Sequence, residues 1–188
     1  MKIINCEILH CNAGWRDFSF LKINTDEGIS GISEYNECYG SPGLSIIIRR
    51  FMEKIINQDP ICHEKVHQYL YASSRQAPGG IAQQAIAAIE NALLDIKGKY
   101  LNVPVHTLLG GAIRHKLPLY WSHCGTYRIS EELSKIMQKP QVRSLEDLKQ
   151  LGKDVKNAGY KGLKTNIFSF GETPIMEMQG FAGKSGWP

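Results

Sequence analysis

No stretch of this 188-residue chain approaches the roughly 18 consecutive apolar residues that a membrane-spanning helix needs, so no membrane partner is expected. The opening MKIINCEILHC is broken by Asn5, Glu7 and His10, which leaves no continuous apolar segment of the secretory kind. A cytoplasmic protein is the expectation. CxxC spacing is missing as well. The five cysteines, Cys6, Cys11, Cys38, Cys62 and Cys124, are odd in number and indicate neither a disulfide framework nor a cysteine zinc site. They read as small buried residues in a reducing compartment. A basic stripe is also absent: the 22 Lys and Arg are scattered, and a net charge of +4 gives no platform for nucleic acid. There is no internal repeat and no low-complexity tract. What remains, at 43% hydrophobic and 21% charged, is the composition of an ordinary globular protein, long enough for one large or two small domains.

The pattern along the chain changes once. Ile4, Cys6 and Ile8 alternate with Asn5 and Glu7, the period of a strand with one wet face. A second strand, 18–24, meets the turn Thr25-Asp26-Glu27-Gly28 and continues into a third, 29–34, with the glycine supplying the positive φ the turn needs. Three antiparallel strands therefore open the chain. A helix follows Ser41-Pro42-Gly43, burying Leu44, Ile47, Ile48, Phe51 and Ile55, and Asp59-Pro60 ends it. A second covers 62–71. The third, 81–100, places Ile81, Ala85, Ile89, Ala92, Leu93 and Ile96 on one stripe, and its alanines permit close packing.

Beyond Gly110-Gly111 the order becomes strand (117–122), helix (145–157), strand (162–168). That spacing is a βαβ unit with parallel strands. The expected fold is thus an α+β domain over residues 1–115, followed at 116–188 by the start of an α/β barrel. A complete (β/α)₈ barrel takes roughly 250 residues, and two parallel strands cannot cover their own faces. The sequence is expected to be part of a longer protein, or a unit whose missing strands come from elsewhere.

Two constellations invite chemistry. HEKVH, His63 to His67, matches H-E-x-x-H; on a helix both histidines would share a face, able to hold zinc with Glu64 as general base, and Glu90 is a distant third ligand. This is the metallopeptidase reading. Its alternative is an amphipathic helix with Val66 and Leu70 inward and the histidines at its edge. The second constellation is Lys164 and Asn166, two apart in the strand GLKTNIF, where residues i and i+2 point to the same side. In a parallel barrel that side is the interior near the C-terminal mouth. Alternatively, Lys164 merely extends its ammonium from a strand end. His123, closing the preceding strand in YWSHCGTYR, would face the same mouth as a substrate contact or stand as a structural histidine. Trp15 and Arg16, in the loop of NAGWRDF, read as an aromatic and cation pair able to cover an anionic ligand, or as an ordinary surface pair.

The element order, the segment AIAAIENALLDIKGKYLNVPVHTLLGG (85–111) and the strand GYKGLKTNIF together resemble the enolase superfamily, in its mandelate racemase and muconate lactonizing enzyme-like, acid-sugar dehydratase branch. The resemblance covers essentially the entire chain but only about the first half of a family member. It implies a cap closing over a modified barrel, a small-molecule carboxylate substrate of the sugar-acid type, and a homo-oligomer. It also implies Mg²⁺ and a Lys or His base removing the proton α to a carboxylate, a general property of the superfamily rather than something read from these residues. The activity implied is that of a sugar-acid dehydratase, a lyase, or a related racemase.

In the family the second barrel strand often ends K-x-K; here it reads Lys164-Thr165-Asn166, and an amide cannot act as a base. On this resemblance Lys164 and Asn166 are the catalytic-wall candidates, and Trp15, Arg16 and His123 the substrate contacts. The family's acidic metal ligands lie on later strands, so no residue here is assigned to metal and the chain is not expected to turn over by itself. Two rivals stand beside this reading: the zinc metallopeptidase through His63, Glu64 and His67, and a non-catalytic truncated module for binding or assembly.

Overall fold

The computed structural model describes residues 1–14, 16–38, 41–75, 79–172 and 174–177. The chain divides into two compact units, Met1–Ile113 and Arg114–Pro188.

The first unit opens with β1 (Ile3–Asn12), β2 (Asp17–Thr25) and β3 (Ser30–Tyr35), an antiparallel sheet in that order. Gly28, at φ 79°, turns β2 into β3 as the sequence predicts, and its amide donates to the Thr25 carbonyl at 3.2 Å. The alternation expected in β1 is shifted at its start. A register irregularity between Ile3 and Asn5 makes Ile3, not Ile4, the buried residue, while Cys6 and Ile8 still face the core. One extra residue in a strand reverses the facing of everything before it.

Three helices cover one face: α1 (Leu44–Ile55), α2 (His63–Ser73) and α3 (Gly80–Leu101), with a short α4 (Val105–Leu108) after them. Of the apolar stripe predicted for α3, all but the partly buried Ile81 is buried, and Ile86, Ala88 and Gly98 join it. Gly31 explains how β3 and α3 come so close: a Cβ there would stand 2.0 Å from the Ala92 carbonyl oxygen. Ser33 Oγ donates to the Ala88 carbonyl at 2.6 Å, and the Ile32 amide donates to Asp95 at 2.9 Å, so polar groups follow the same seam. The start of α1 is held by Glu37, whose carboxylate accepts from the amides of Gly43 (3.0 Å) and Ser45 (3.2 Å) and from the Ser45 hydroxyl. Partial burial pushes the Glu37 carboxyl up, but the bonds from Ser45 and Gly43 outweigh it and hold the group below the ordinary glutamate value.

In the second unit β4 (Tyr120–Ser122) and β5 (Gly162–Lys164) pair in parallel, joined through α6 (Leu145–Asn157), whose bounds match the sequence expectation. Between them the chain adds a 3₁₀ turn (Thr126–Ile129) and α5 (Glu131–Ile136), neither of which the sequence reading contained. The expected strand over 162–168 is broken. It leaves the sheet after Lys164, and β6 (Ile167–Ser169) pairs antiparallel with β7 (Ile175–Glu177). A small core of Cys124, Leu151 and Val155, flanked by Trp121 and Leu148, holds this unit together.

The cysteines correct another expectation: Cys11, Cys38 and Cys62 are exposed, Cys6 is half-buried, and Cys124 is buried, where burial pushes its thiol pKa up. Among the described residues no helix is long and apolar enough to cross a membrane.

Candidate functional site

In a parallel pair both strands run out at the same edge. Ser122 stands opposite Lys164, so His123 and the segment after Lys164 emerge side by side, and the Cys124 amide donates to the Lys164 carbonyl at 3.2 Å. His123 sits at φ 52°, a left-handed conformation that costs a residue with a Cβ about 1 kcal/mol or more. That bend carries the chain off β4 into the 3₁₀ turn, where the Thr126 amide donates to the His123 carbonyl at 3.2 Å. The imidazole lies 5.9 Å from the Tyr127 ring, tilted by 42°.

The turn delivers Thr126 to Asn166. The hydroxyl of buried Thr126 donates to Asn166 Oδ1 at 2.8 Å. Asn166 keeps its NH₂, a double donor suited to an anionic oxygen. Gly125 makes room for this packing: a Cβ there would come within 3.1 Å of the Phe168 ring and 3.0 Å of Leu151.

The Lys164 side chain is exposed, and Asn166 is half-buried. Because β5 ends at Lys164, strict alternation along one strand does not govern both residues; Asn166 is placed by Thr126 instead. Among the described residues, His123 Nδ1 and Thr165 Oγ1 are withdrawn from solvent without a hydrogen-bond partner. A polar atom in that state costs about 1–3 kcal/mol. Arg128, which the sequence reading did not single out, is buried in the same unit: Nε donates to the Pro140 carbonyl at 2.7 Å, and its own carbonyl accepts from Val142 and Ser134. Forty residues separate Thr126 from Asn166, so no local spacing rule could have paired them.

The remaining predicted residues lie in the first unit. Trp15 lies outside the described residues. The Arg16 guanidinium lies 4.2 Å from the Phe18 ring centroid and 3.6 Å from Glu34, leaving the side chain 20% exposed. HEKVH does begin α2, yet it brings together a different set from the expected two histidines. The ligand atoms of His63, Glu64 and Glu90 lie within 4.8 Å of one another, while His67 Nδ1 pairs with Glu90 Oε2 at 2.9 Å.

Near Lys164 the second unit offers an ammonium, an amide and an imidazole. These are groups that meet an anion; a magnesium ion is held by hard oxygen ligands, which this set does not provide.

The family model for the mandelate racemase / muconate lactonizing enzyme N-terminal domain matches residues 11–110. The D-galactonate dehydratase of Variovorax paradoxus (strain S110) is 43% identical over 101 residues, 54% of this chain and 26% of that protein. The D-galactonate dehydratase of Pectobacterium atrosepticum is 39% identical over 123 residues, 65% of this chain and 32% of its own length. The matched stretches thus span a third or less of these curated relatives. Among solved structures, a candidate L-alanine-DL-glutamate epimerase from Burkholderia xenovorans strain LB400 aligns with a TM-score of 0.85 at 39% identity, covering 93% of this chain and 44% of that one; it has also been solved with magnesium and fumarate. The chain belongs to the mandelate racemase / muconate lactonizing enzyme family, and its first unit is that family's N-terminal capping domain.

Proposed function

We propose that this chain is the capping domain and opening barrel strands of a sugar-acid dehydratase, acting on an aldonate such as the D-galactonate of the relatives. The observation that carries the reading is the parallel pairing of Ser122 with Lys164, which sets His123 and Lys164 at one strand edge next to the Thr126–Asn166 pair. In this reading Lys164 Nζ faces the substrate carboxylate and Asn166 donates an N–H to the same anionic end. His123 contacts a substrate hydroxyl, and Trp15 and Arg16 belong to the cap side.

Dehydration of a 2,3-dihydroxy acid removes the proton from C2 and breaks the C3–O bond. The leaving hydroxyl takes up a proton to depart as water, and the enol that remains tautomerises to a 2-keto-3-deoxy acid. The α-proton is weakly acidic unless the developing negative charge on the carboxylate is met by fixed positive groups, and Lys164 would supply part of that. Asn166 cannot remove a proton, so the base lies elsewhere in the complete barrel. Magnesium, when bound, would neutralise the same developing charge. Its ligands are not among the residues of this site.

The test is a protein in which residues 1–177 are continued by the remaining barrel of the Variovorax dehydratase. Keto-acid formation from D-galactonate is expected. A folded chimera that converts neither this nor any other aldonate would remove the dehydratase reading.

A further inference from the structure

The HEKVH segment has no part in the function proposed above, yet it builds a cluster across two helices. His63 opens α2, and Glu90 projects from α3, which packs against it. The His63 ring is 15% exposed, and its Nε2 lies 3.6 Å from Glu64 Oε1. Glu90 completes a set whose ligand atoms all fall within 4.8 Å of one another. Around a tetrahedral zinc ion, bonds of about 2.0–2.2 Å separate neighbouring ligand atoms by roughly 3.3–3.6 Å. The His63–Glu64 separation already has that value. Glu64, 75% exposed, has room to rotate toward a shared ion.

His67 strengthens the set from outside. A carboxylate only accepts, so the 2.9 Å contact means that His67 Nδ1–H donates to Glu90 Oε2. The other carboxylate oxygen is left oriented, the usual way a neighbouring group fixes a metal ligand. One group opposes an ion here. Lys97 Nζ lies 3.5 Å from His63 Nδ1, and an ammonium can only donate. That bond would place the ring proton on Nε2, the atom a metal needs. Zinc binding therefore requires Lys97 to turn aside and the proton to move to Nδ1.

We propose that His63, Glu64 and Glu90 form a site for a zinc-class divalent ion that clamps α2 to α3. One imidazole with two carboxylates suits zinc better than magnesium, which favours oxygen ligands and retains its water. Glu64, the base of a hydrolytic H-E-x-x-H site, is itself in the ligand set, so the clamp is structural and independent of the dehydratase reading.

Calorimetric titration of the chain with zinc chloride, alongside thermal melts, tests it. One ion per chain is expected to bind at micromolar concentration or below and to raise the melting midpoint, with excess magnesium failing to compete. His63→Ala and Glu90→Gln each weaken binding by roughly tenfold or more. Lys97→Met tightens it, an arm that a misfolded variant could not imitate. Cys62→Ser, which removes the adjacent exposed thiol, leaves it unchanged. No saturable 1:1 binding, binding that survives both His63→Ala and Glu90→Gln, or binding lost in Cys62→Ser overturns the proposal.

Discussion

The two units solve the burial problem unequally. Among the described residues, 18 from the sheet and α1 to α3 form one continuous buried cluster in the first. In the second, the described cluster is only Cys124, Leu151 and Val155, while Leu117 and Leu119 remain 67% and 68% exposed and Leu163 and Ile167 are also open. The difference follows from topology. A three-stranded antiparallel sheet with helices on one face encloses a core by itself, whereas parallel strands have two faces to cover and two strands of three residues cover neither. Stability is therefore concentrated in the capping domain, and the polar residues proposed to meet substrate lie in the less enclosed unit.

The strongest way to break this contrast is Gly31→Val. With the Ala92 carbonyl 2.0 Å from the new Cβ, α3 cannot dock, and a loss of about 4 kcal/mol or more is expected, read as the disappearance of the cooperative melt. Leu93→Ala, which leaves a cavity in the same cluster, should cost about 3 kcal/mol by urea denaturation. Should Leu151→Ala in the second unit cost as much, the asymmetry drawn here would be wrong.

Smaller effects sharpen the picture. Glu37→Gln removes the carboxylate that holds the start of α1, at an expected cost of about 1 kcal/mol. Since the folded-state pKa of Glu37 is depressed, its contribution is fully present above the ordinary value of about 4.3 and is lost as pH falls through the folded value. The difference between wild type and Glu37→Gln should accordingly shrink in acid; a constant difference would assign the effect to packing. Smallest of all, Leu163→Lys should change stability by no more than about 0.5 kcal/mol while reducing binding of a hydrophobic dye, because this side chain is already open.

What could be read in the sequence tracks the same contrast. The hairpin turn at Gly28, the buried stripe of α3 and the bounds of α6 all follow from local periodicity and turn chemistry, and each formed as expected. The bulge near Ile3 left no such mark, since an extra residue shifts facing without changing composition. The strand through Lys164 was legible only as far as Lys164. Its break coincides with the Thr126–Asn166 hydrogen bond across 40 positions, a tertiary contact that no local pattern encodes. HEKVH was visible as a motif and Glu90 as its distant third ligand; what spacing alone could not show is that helix packing pairs His67 with Glu90 and leaves Glu64, beside His63, in the ligand set.

The central claim is that the strand edge at Lys164 takes part in chemistry on a carboxylate substrate, and the most direct measurement is turnover of the completed barrel carrying Lys164→Ala. The account predicts that keto-acid formation falls to background while circular dichroism and the melting midpoint stay at wild-type values, as expected for an exposed side chain. Turnover equal to that of the unsubstituted protein would contradict it.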